Sequence, residues 1–193
     1  MSKPIRDLAS AMLTLAVVTL VAASCSKAPS SEPSAAAPDT MATAERGAYL
    51  ATAMGCHDCH TPGGVYGTPD FQRALSGSEV GWGGPWGVSY ARNITPDPVT
   101  GIGAWTEDQI VLTLRTGSRP DGTGLLPPMP WPNTASLKPR DVRSLAKYLK
   151  SIVPVKHEVP KAVLPGRKAA TPVIALPAPG AWDAPAAPAA TTP

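Results

Sequence analysis

"MGCHDCHTPGG", residues 54–64, gathers two of the chain's three cysteines and two of its three histidines. Cys56-His57-Asp58-Cys59-His60 reads C-x-x-C-H. Thiols at this spacing serve a redox dithiol, part of a zinc site, or covalent attachment of a haem. A thioredoxin-like dithiol wants a βαβ setting, and no strand pattern flanks the motif. Zinc wants four ligands, and the two cysteines with His57 or His60 leave it one short. His157, the third histidine, lies far off in proline-rich sequence. A plain disulfide has no use for His60. Haem attachment uses all three residues: Cys56 and Cys59 reach the two vinyl groups, and His60 falls beneath the iron. His57 then reads as a linker residue.

Outward from the motif the chain reads as helices and long loops. Gly47, Leu50, Ala51 and Met54 recur at helical spacing over 44–54 and lead into the cysteines. Residues 61–104 are rich in glycine and proline, show no sustained period, and read as a long structured loop. Thr106 with Gln109 makes a capping box, Glu107 and Asp108 suit a first turn, and Ile110, Val111 and Leu114 form an apolar face ending at Gly117. LLPPMPWP, residues 125–132, is punctuated by proline and predicts neither helix nor central strand. The last helix starts at Pro139, buries Val142, Leu145, Leu149 and Ile152, and closes at Pro154. The expected fold class is all-α. With a single phenylalanine in the chain, something else must fill the centre, and a haem would.

An iron held by His60 has a second axial position. The candidates are Met41, Met54, Met129, His57 and His157. Met54 falls on the first helix, Met41 in the tether before it. Met129 sits in PPMP, an extended loop that can present a thioether, whereas core-filling methionines lie on helix stripes. His/Met ligation raises the reduction potential and closes the iron to substrates, which points to electron transfer rather than catalysis.

The ends of the chain read differently. Lys3 and Arg6 precede an apolar run over 8–23, the pattern of an export signal. Residues 1–24 are therefore expected to be a signal peptide and 25–42 a flexible linker. VAASC, residues 21–25, resembles a lipobox whose Cys25 becomes lipidated, although Ala22 stands where leucine is usual. The folded domain is expected over 43–153, and the Pro/Ala-rich residues 154–193 are expected to be a disordered tail. The net charge of +3, with no Lys/Arg run, gives no reason to expect a nucleic-acid partner.

GAYLATAMGCHDCHT (47–61), WGVSYARNITPDPVTGIGAWTEDQI (86–110), LRTGSRPDG (114–122), LLPPMPWP (125–132) and DVRSLAKYLKSIVPV (141–155) together resemble class I c-type cytochromes. The likeness is to the cytochrome c domains that accompany bacterial periplasmic alcohol- and aldehyde-type dehydrogenases. It implies an all-α fold wrapped round one covalent haem c, with first and last helices crossing at Gly47 and Tyr148. It implies thioether bonds at Cys56 and Cys59 and axial ligands His60 and Met129. Asn93, Ile94, Thr95 and Trp105 would line the haem, Arg92 or Arg115 would meet a propionate, and a carbonyl of Pro62 or Pro69 would orient His60. The function implied is a periplasmic one-electron carrier rather than an enzyme. Its partners would be a dehydrogenase or quinol-linked donor and a cytochrome or oxidase acceptor. A permanent dehydrogenase subunit and a haem enzyme or sensor with an exchangeable sixth ligand are the alternatives.

Overall fold

The computed structural model describes residues 41–177. The expected signal peptide, the lipidation of Cys25 and most of the linker lie outside the described residues. Helix α1 (Ala44–Ala53) is capped by Thr43, whose hydroxyl accepts from the Arg46 amide. It crosses α5 (Pro139–Ser151), the longest helix among the described residues. Gly47 makes the crossing: a Cβ there would fall on the Ser144 carbonyl and 2.6 Å from the Tyr148 Cβ. Arg46 Nε donates to Asp141 Oδ1 and ties the same two helices at the start of α5.

Helix α3 (Glu107–Thr116) forms with both hydrogen bonds of the capping box in place, and Gly117 ends it at φ 70°. Ile110, Ala146 and Leu149 pack with Leu75 and Ile102 into the main core; Leu50, Ala51 and Leu145 form a second cluster. A short helix α4 (Trp131–Ala135) follows the proline-rich loop. It takes Trp131 and Pro132 from the stretch expected to be non-helical, because proline is tolerated in a first turn, where its missing N–H is not needed.

The helices are not the whole fold. Strands β1 (Gly81–Gly84) and β2 (Gly87–Tyr90) pair antiparallel, and β3 (Val173–Ala175) pairs parallel with β1, giving the order β2-β1-β3. The all-α expectation omitted this sheet. GWGG offers neither alternation nor β-branched residues, so the usual strand signals are missing.

The expectation of a disordered tail also needs correction for residues 154–177. The Val155 carbonyl accepts from Asn93 Nδ2 and its amide donates to Thr95 Oγ1, the His157 amide donates to Thr100 Oγ1, and Val159 is 2% exposed. Val163 bridges to Val88, and Tyr90 meets Thr171 through their hydroxyls at 2.9 Å. This strap is held mainly through its backbone, so it has no apolar period to read. Residues 178–193 lie outside the described residues.

Candidate haem iron centre

Gly55, in the left-handed region at φ 69°, ends α1 and starts the one-turn helix α2 (Cys56–His60). A side chain there would be strained, and its Cβ would stand 2.7 Å from Asp58 Oδ2. The turn puts Cys56 and Cys59 at i and i+3, one above the other on one face, with His60 next in line. Both thiols are free and partly buried. Burial pushes the Cys56 thiol up to about 11 and raises that of Cys59, with Asp58 adding to both. At neutral pH both are therefore protonated and resist oxidation.

His60 is oriented by a single bond. Its Nδ1 lies 2.7 Å from the Arg92 carbonyl oxygen, which can only accept, so Nδ1 carries the proton and Nε2 is left with its lone pair. Burial lowers the His60 pKa, outweighing the Arg92 carbonyl, so the ring is a neutral imidazole. The expected partner was a carbonyl of Pro62 or Pro69; Arg92 takes that place because the chain returns past His60 after the hairpin. The His60 carbonyl in turn accepts from the Gly77 amide at 2.7 Å.

The loop after the motif is fastened to the core. Buried Thr61 receives the Leu75 amide on Oγ1 at 3.0 Å and meets His57 Nδ1 at 3.0 Å. Leu75 is fully buried at φ 60°, a costly conformation for leucine that the surrounding bonds enforce. No sequence signal marked Leu75.

Other expected residues divide. Ile94 and Trp105 pack half-buried on the main core, as Cys56 does. Asn93 and Thr95 are buried and bond each other: Asn93 Oδ1 accepts from the Thr95 amide and hydroxyl at 2.9 and 2.7 Å. Arg92 donates to the Val159 and Pro160 carbonyls, and Arg115 to the Ala135 carbonyl. Both guanidiniums therefore have protein partners. Arg119, not singled out from the sequence, is lowered by burial first and then by the nearby Arg92 charge.

The second axial candidates also separate. Met41 is 63% exposed, and Met54 packs on the Leu50 cluster. His57 shares the one-turn helix with His60 and could not reach the opposite side of a ring that His60 would hold. His157 commits both nitrogens, to the Ser76 carbonyl at 2.9 Å and Glu79 Oε1 at 2.8 Å. Met129 is half-buried in a loop fastened on several sides. Its amide donates to the Leu126 carbonyl, Ser89 Oγ donates to the Pro127 carbonyl, and the Leu125 amide donates to the Gly117 carbonyl.

The donor set fits a haem: two unpaired thiols on one helical face, an imidazole with a free Nε2, and a thioether in a fastened loop. No family model matches the chain. The fructose dehydrogenase cytochrome subunit of Gluconobacter japonicus is 40% identical over 121 residues, 62% of this chain and 24% of that subunit. The chain is similar to the cytochrome c subunits of bacterial dehydrogenases. The cytochrome c subunit of the quinone alcohol dehydrogenase of Gluconobacter oxydans (strain 621H) is 38% identical over 58% of this chain and 22% of its own length. A diheme cytochrome c-type protein of Cereibacter sphaeroides is 33% identical over 58% of this chain and 36% of its own. The chain thus spans a third or less of most of the curated relatives it matches.

Proposed function

We propose that the protein is a monohaem c-type cytochrome that carries one electron at a time in a dehydrogenase-linked or respiratory chain. The observation that carries the reading is the His60 ring, fixed by the Arg92 carbonyl at 2.7 Å with its Nε2 free, in the same helical turn as two unpaired cysteines. Cys56 and Cys59 would hold haem c through thioethers, and His60 and Met129 would be the axial ligands, with Ile94 and Trp105 against the ring. The sequence contains a single C-x-x-C-H, which supports one haem. The bound haem would supply a reversible Fe(III)/Fe(II) couple. The chain's part is to keep His60 neutral and oriented, to exclude water with the half-buried apolar side chains, and to close the sixth position with Met129.

The names of the relatives favour a dehydrogenase catalytic partner, met either transiently or as a permanent subunit. Among the described residues no helix is long and apolar enough to cross a membrane. Periplasmic export through residues 1–24, with or without a lipid on Cys25, is part of the proposal. A spectroelectrochemical titration tests it. A single wave with one-electron slope is expected, and Met129→Ala should lower the potential and admit an external ligand such as imidazole. A two-electron wave, or a Met129→Ala protein with unchanged spectrum and potential, refutes the assignment.

A further inference from the structure

The peptide unit joining Arg92 to Asn93 bears the carbonyl that accepts from His60. It is gripped from both flanks by the strap after α5. On one side the Arg92 guanidinium donates to the Val159 and Pro160 carbonyls at 3.2 and 3.1 Å. On the other, buried Asn93 sends Nδ2 to the Val155 carbonyl at 2.7 Å and to Thr100 Oγ1 at 3.0 Å, while its Oδ1 holds Thr95. The strap is itself anchored by Val159, packed into the space beside Gly77, and by His157 on Ser76 and Glu79. The Arg92 and Asn93 side chains bond protein groups other than His60. Both reach residues 155–160, whose one imidazole, His157, is committed to Ser76 and Glu79.

We propose that Arg92 and Asn93 are positioning residues for His60, and that the strap 155–160 acts through them on the electron affinity of the iron. The proposal rests on the haem reading above. A strong Nδ1–H···O bond gives the imidazole more electron density to donate, which favours Fe(III) and lowers the potential. The bond is strong only while its acceptor is held still. Freeing the Arg92–Asn93 peptide therefore weakens it, raises the potential, and exposes the Nδ1 proton to solvent. The same segment that read as an idle tail thus becomes a tuning element for the site 95 residues before it in sequence.

The test uses the full chain loaded with haem, comparing wild type with Arg92→Ala, Arg92→Lys and Asn93→Asp. Asn93→Asp removes the donor to Val155 and keeps the acceptor for Thr95. Two readouts are taken: the midpoint potential, and NMR exchange of the His60 Nδ1 proton in the reduced protein. Arg92→Ala and Asn93→Asp are expected to exchange that proton roughly tenfold faster and to move the potential upward. Arg92→Lys, which can still reach a strap carbonyl, is expected to recover part of both. Unchanged exchange and potential in variants with an intact haem band overturn the clamp alone. A shifted potential with unchanged exchange assigns the effect to the Arg92 charge and also overturns it. A wild-type chain with no covalent haem overturns the underlying reading. Should Asn93→Asp fail to accumulate, the two Arg92 variants carry the same comparison.

Discussion

At the scale of single residues, the site separates what attaches from what orients. Cys56 and Cys59 are chemically alike but not equally placed, Cys56 touching both apolar clusters. Cys56→Ser or Cys59→Ser is expected to leave one thioether and one unreacted vinyl group, seen as a red-shifted pyridine haemochrome band; an unshifted band in either variant contradicts the attachment. The Arg46–Asp141 pair sets a pH dependence. The Arg46 hydrogen bond holds the Asp141 carboxyl below its ordinary range, with Arg140 and Lys138 acting in the same direction. A depressed carboxyl contributes stability that is complete above its unfolded pKa and is lost as pH falls through the folded one, below pH ~4. Asp141→Asn should cost about 1 kcal/mol at pH 7 and clearly less at pH 2, measured by denaturant melts at both. An equal loss at both values rules the linkage out.

At the scale of elements, the α1–α5 crossing is the contact on which the helical part rests. Gly47→Ala would push a methyl group into the Ser144 carbonyl, a backbone atom that cannot rotate away. A loss of about 1–3 kcal/mol is expected in thermal melts; a neutral change would mean that the helices stand further apart than described here. Gly47 and Tyr148 were legible in the sequence, as were Thr106 and Gln109, because caps and close crossings use distinctive residues. The hairpin was not legible: glycines 81, 83 and 84 form a strand through backbone pairing alone. The His60 acceptor was missed for a similar reason. A backbone carbonyl carries no residue identity, so nothing in Arg92 as a letter announces that its oxygen meets His60.

At the scale of the whole molecule, the domain closes only when the strap is added. Residues 155–176 satisfy Asn93, Thr95 and Thr100, bury Val159 and extend the sheet. A chain ended after Pro154 should melt several degrees lower than the full chain, since those buried groups lose their partners. Equal melting temperatures would show that the strap is carried passively. The Pro/Ala composition concealed this role, because backbone donors and acceptors leave no hydrophobic period. The central claim is that Cys56, Cys59 and His60 build a covalent haem site. Intact mass spectrometry of the acid-denatured protein, made in a host with haem-ligation machinery, tests it most directly. The account predicts the mass of the processed chain plus one haem; the mass of the bare chain, or of two haems, would contradict it.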